Sequence, residues 1–105
     1  MVKKDLMIIM NVEQDVLLSL EELCRICHSS PDFIKDLIDY DIIHPIGIHP
    51  QEWAFNLLHL QRIKIAQRVQ KDLEINIAGI ALILELLDEI RRLRAKADLA
   101  DKYFL

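Results

Sequence analysis

Two helix starts only eleven residues apart constrain this chain more than any other feature of its sequence. Ser19-Leu20-Glu21-Glu22 is a capping box, in which the serine hydroxyl accepts from the amide three residues on and Glu22 reaches back to the amide of Ser19. Ser30-Pro31 repeats the signal, with Ser30 as N-cap and Pro31 at the first helical position, where its missing N–H costs nothing. The spacing predicts one helix over Leu20 to His28 and a second over Pro31 to Tyr40, the latter with Phe33, Ile34, Leu37 and Ile38 on one face. Two short helices joined by so few residues form a helix-turn-helix.

From Ile42 the pattern changes. Residues 42–55 hold two of the three prolines, one of the two glycines and alternating apolar residues, which reads as a short β-hairpin or wing. Trp53 and Phe55 are expected to pin that wing to the core. Asn56 to Leu73 is helical by period, with Leu57, Leu60, Ile63 or Ile65, and Val69 inward. Asn76 then caps a last helix, Ile77 to Ala100, where Gly79, Ile83, Leu86, Ile90, Leu93, Ala97 and Ala100 follow 4-3 spacing. That is a coiled-coil seam, so Ile83, Leu86, Ile90, Leu93 and Ala97 are read as a dimerisation stripe. The competing reading packs the seam within the chain, against the preceding helix. Near the N-terminus, Met7-Ile8-Ile9-Met10 and Val16-Leu17-Leu18 are candidate short strands. A chain of 105 residues is one domain's worth. The expected fold is all-α: a winged helix-turn-helix over 13–55, with a small β-hairpin wing, followed by a helical dimerisation region over 56–105.

The net charge of −4 is unevenly spread. Between residues 13 and 55 the only cations are Arg25 and Lys35, against nine acids: Glu13, Asp15, Glu21, Glu22, Asp32, Asp36, Asp39, Asp41 and Glu52. The half that carries the helix-turn-helix is therefore strongly acidic, whereas 56–105 carries nine cations and seven acids. A DNA reader of this type sets the start of its second helix in the major groove and holds phosphates with Lys and Arg. Here that start is Pro31-Asp32-Phe33-Ile34-Lys35-Asp36, and each acid facing a phosphate is repulsive.

Chemistry finds little foothold. Cys24-Arg25-Ile26-Cys27-His28 spells the attachment sequence of c-type haem, but it falls inside a capped amphipathic helix whose Leu20, Leu23, Cys24 and Cys27 share a face, so the cysteines read as small core residues. Zinc could draw on Cys24, Cys27 and His28 with His44, His49 or His59, yet no second close pair accompanies the first. Two glycines leave no phosphate-cradling loop, and no nucleophile motif is present. A binding protein without cofactor or metal, not an enzyme, is expected. The apolar run Leu6 to Met10 is shorter than the roughly 7–15 residues of a secretory signal, and the longest candidate span, Ile75 to Leu87, is interrupted by Asn76 and Glu85. The expectation is a soluble cytoplasmic protein.

The layout resembles the MerR-type regulators: Asp41-Ile42-Ile43-His44-Pro45 is similar to their Gly-Leu-Leu-x-Pro, and Glu52-Trp53-Ala54-Phe55 stands where they carry Gly-Tyr-Arg-x-Tyr. The arginine that would meet a phosphate is replaced by Ala54. From Leu17 to about Leu93 the chain more closely resembles the CbpM chaperone-modulator family. The segments that carry the likeness are Leu18-Ser19-Leu20-Glu21-Glu22-Leu23-Cys24, the wing with Trp53 and Phe55, and Leu73-Glu74-Ile75-Asn76-Ile77-Ala78-Gly79-Ile80 leading into Leu84-Glu85-Leu86-Leu87-Asp88-Glu89-Ile90. That resemblance implies a small homodimer that binds the J-domain of the co-chaperone CbpA, restrains its stimulation of the DnaK ATPase and opposes its DNA binding. J-domains carry a basic second helix, so the expected contact is the acidic set Glu21, Glu22, Asp32, Asp36 and Asp39. No membrane and no direct nucleic acid are expected as partners; the alternative is a MerR-type DNA-binding regulator.

Overall fold

The computed structural model describes residues 16–104. Helix α1 (Leu20–Cys27) begins at the expected box: the Glu22 amide donates to Ser19 Oγ at 3.1 Å and the Ser19 amide to Glu22 Oε1 at 2.9 Å. Helix α2 (Pro31–Asp39) starts with the Phe33 amide donating to Ser30 Oγ at 3.2 Å. Helix α3 (Leu57–Leu73) has a capping box that the sequence reading missed, Asn56 with His59. Helix α4 (Ile77–Phe104) starts as expected, its Gly79 amide donating to Asn76 Oδ1 at 2.9 Å, but runs past Ala100.

The wing is where expectation and structure part. Among the described residues there is no β-hairpin: Ile46 and Ala54 form a single antiparallel bridge, with both N···O distances 2.9 Å, and the turn Pro50–Glu52 fills the loop with one 3-10 turn. Proline and glycine account for the difference. Pro45 and Pro50 have no amide to donate to a ladder, and Gly47 bends the chain at φ +107°, where an added Cβ would meet the Glu52 carbonyl oxygen at 2.8 Å. The strand expected at Val16–Leu18 is likewise one bridge, Leu18 to Phe55, while Met7–Met10 lies outside the described residues. The all-α class stands without the hairpin.

The core forms where the helices converge. Leu23 and Cys27 of α1, Ile34 and Leu37 of α2, Ile42 and Ile43 after it, Phe55, Ile63 and Ala66 of α3, and Ile80 and Leu84 of α4 are all buried. The inward face of α3 is thus centred on Ile63 and Ala66, with Leu60, Ile65 and Val69 only partly covered. Ala66 escaped a search for large apolar residues because helix-to-helix approach favours a small one. On α4 the chain's own core takes Ile80 and Leu84, one step off the 4-3 seam, and every side chain from Asp88 to Tyr103 is exposed. An intramolecular hairpin over the whole seam is therefore not formed: Leu86, Ile90 and Leu93 keep 52%, 44% and 50% of their surface.

Helix α3 stops because Glu74 turns left-handed (φ 51°, ψ 44°), its amide donating to the Gln70 carbonyl at 2.8 Å. A non-glycine residue pays about 1–2 kcal/mol for that conformation, partly offset by the greater freedom glycine would lose on folding. Glu74→Gly should therefore stabilise the fold by about 0.5–1 kcal/mol. Urea denaturation reads it, and a lowered midpoint would mean that the Glu74 side chain contributes an interaction of its own.

Candidate partner-binding site

The acids on the second helix share a face because they recur at i, i+4 and i+7. Asp32, Asp36 and Asp39 are all exposed, and none has an ion-pair partner among the described residues. Glu21 is exposed at the start of α1. Glu22 is exposed too, but its carboxylate accepts the Ser19 amide, a hydrogen bond that holds it below the usual carboxylate range. Its first duty is structural, so replacing it would disturb α1 before it reported on a partner.

The acidic row leads into a feature that the sequence reading did not find. Tyr40, Asp41, Ile42 and His44, just after α2, face Arg62 of α3 and Ala81, Glu85 and Asp88 of α4 across an open cleft of about 450 Å³. Asp41 is left-handed at φ 59°, which swings the chain from α2 toward this cleft. Arg62 organises its floor. The guanidinium is bidentate to Asp88, at 3.2 Å and 2.9 Å, and its Nε donates to the Ile42 carbonyl, so one side chain joins α3, α4 and the segment after α2. Asp88 is shared with Arg91 at 4.0 Å, and Asp41 lies 3.5 Å from His44. Glu85 has no such partner among the described residues, which leaves the cleft with an anionic wall beside the half-exposed Tyr40 ring. No local signal marks the Arg62–Asp88 pair, whose members are 26 residues apart.

The other candidates resolve differently. Burial raises both the Cys24 and Cys27 thiols, as suits neutral groups packed at the α1 face rather than nucleophiles. His28 is the left-handed C-cap of α1. Among the described residues no three His, Cys, Asp or Glu side chains stand together as a metal site would require. No helix there is long and apolar enough to cross a membrane. Of the residues expected to form a dimerisation stripe, Leu86, Ile90, Leu93 and Ala97 are exposed along one side of α4, and Ile83 is half-buried at its inner end.

Comparison with known proteins fits this geometry. Residues 18–99 match the family described as MerR HTH family regulatory protein. A chaperone modulatory protein CbpM of Coxiella burnetii is 34% identical over 92 residues, covering 88% of this chain and 87% of its own. Those of Pseudomonas entomophila and Pseudomonas putida W619 are 33% and 31% identical over 81 residues, covering 77% of this chain and 80% of theirs. The fold and its helix-turn-helix thus place the chain in the MerR class. Within that class, it belongs to the CbpM family of chaperone modulatory proteins.

Arg62→Met keeps the aliphatic stem but removes the three-way junction. It should cost about 1–2 kcal/mol, a charge-assisted hydrogen-bond pair discounted for partial exposure. The loss should shrink in high salt, and a variant as stable as wild type in low-salt urea titrations would show that the junction carries no net energy.

Proposed function

We propose that this protein modulates a chaperone system by binding, without catalysis, to the J-domain of a CbpA-type co-chaperone, and that it thereby inhibits that partner's co-chaperone and DNA-binding activities. The observation that carries this reading is the exposed acidic face of α2, Asp32, Asp36 and Asp39, on a chain whose relatives are named chaperone modulatory proteins. A basic J-domain helix matches such a face in charge, which speeds encounter and selects against acidic competitors. The cleft next to it, walled by Asp41 and Glu85, offers a receptacle for one cationic side chain of the partner. Glu21 extends the same charge on α1.

The match to a family of regulators keeps a DNA-binding reading in view. Electrostatics argues against it, because phosphate neutralisation supplies most non-specific affinity and the exposed side of α2 offers one lysine among three aspartates.

We further propose that the protein acts as a homodimer joined along α4, through Ile83, Leu86, Ile90, Leu93 and Ala97. The support is an apolar stripe left open to water on a helix that outruns its own core.

Three measurements bear on these readings. Changing Asp32, Asp36 and Asp39 to lysine should weaken J-domain binding at least tenfold in a fluorescence titration while circular dichroism stays unchanged; unaltered affinity would move the contact to α4. If the triple-lysine protein instead gains affinity for duplex DNA that wild type lacks at low salt, the acids are what separate the two functions. Ile90→Glu should give a folded monomer by sedimentation, since the residue lies outside the chain's own core. A wild-type protein that already sediments as a monomer removes the dimer.

A further inference from the structure

The exit of the wing meets one imidazole. His59 occupies the third position of α3, where a capping box normally has Glu or Gln. Its Nδ1 accepts the Asn56 amide at 3.0 Å, while its own amide donates to Asn56 Oδ1 at 3.0 Å. The ring meets Phe55 edge-on, with centroids 5.7 Å apart and planes at 81°. Phe55 is fully buried and exchanges two backbone hydrogen bonds with Leu18, at 2.7 Å and 2.8 Å, so the wing's exit is tied through it to the chain entering α1. At the wing's other end, the backbone of His44 bears on the same ring.

A nitrogen that accepts a hydrogen bond must be unprotonated. We propose that His59 is a proton-sensitive clip, closing the cap of α3 at the foot of the wing while neutral and opening that cap when protonated.

The surroundings act in one direction. Burial, the largest influence, pushes the His59 pKa below its ordinary value; the His44 backbone draws it part of the way back, and the His44 ring lowers it again. Asp41 lies 3.5 Å from His44, and Arg62, one turn along α3, is committed to Asp88. Among the described residues, no carboxylate is among the groups that bear on the His59 ring. An imidazolium in the first turn would also oppose the helix dipole.

The sign follows from the lowered pKa. The unfolded chain takes up the proton near the ordinary histidine pKa of about 6.5, while the folded chain resists it. The clip's stabilisation is therefore complete above that pH and is lost as pH falls through the folded-state pKa. His44 lines the cleft, so opening the cap at the wing foot alters the same face proposed for the partner, although the clip stands independently of that proposal.

The test uses His59→Gln, because glutamine is an ordinary capping-box residue that accepts the Asn56 amide at any pH. Urea denaturation of the full chain at pH 7.5 and pH 5.0, at one protein concentration, should show the folded-to-unfolded ratio of wild type dropping severalfold more than that of the variant, because only in wild type does the unfolded chain gain a proton that the folded chain resists. The Ala54 and Asn56 amide signals should titrate together in wild type and stay still in His59→Gln. His44→Gln should leave that titration in place. Equal acid sensitivity in wild type and His59→Gln, or its disappearance in His44→Gln alone, overturns the proposal.

Discussion

The arrangement depends on the burial of Phe55. Its ring is fully enclosed in the core, and its backbone exchanges two hydrogen bonds with Leu18, so one residue closes the wing, seats the chain before α1 and leads directly into the cap of α3. The wing has only a single bridge of its own, between Ile46 and Ala54, and a lone pair of backbone hydrogen bonds does not sustain a hairpin in water. Apolar anchorage at Phe55, with Trp53 packed partly against the same core, substitutes for a ladder. The wing can therefore lose its β-structure without losing its place.

That anchorage gives the acids their meaning. Helix α2 turns Ile34 and Leu37 inward, and the same helical period turns Asp32, Asp36 and Asp39 outward. In a MerR-class fold this outer face is the one that would approach a phosphate backbone. Carrying aspartates, it opposes phosphates electrostatically and matches in charge the basic protein surface proposed as its partner. A fold can be retained while its partner class changes, because a scaffold's core and its exposed charges are encoded by alternate faces of the same helices.

Helix α4 divides in a similar way. Ile80 and Leu84 complete the core of the chain, and the 4-3 seam a step away remains open. The two stripes overlap in sequence, and periodicity alone cannot say which is internal. The widened run of leucines near the start of α4 accommodates both, the inner stripe for folding and the outer for the proposed dimer.

What the sequence determined was local. Capping at Ser19 and Ser30, the stop before Asn76 and the helical periods follow from hydrogen bonds and side-chain faces within four residues, so helix starts and the acidic face of α2 were legible without coordinates, whereas the end of α4 was not. The family likeness was legible for a related reason, since its segments are continuous stretches of chain. The Arg62–Asp88 junction, the cleft it underlies and the choice of Ala66 for the core depended on segments tens of residues apart. His59 falls between the two cases: its cap and its edge contact with Phe55 are local, but His44 bears on its ring only because the wing folds back on α3. Local hydrogen bonding fixes where helices begin. Only packing decides which of their side chains meet, because that choice belongs to the shape of the whole core.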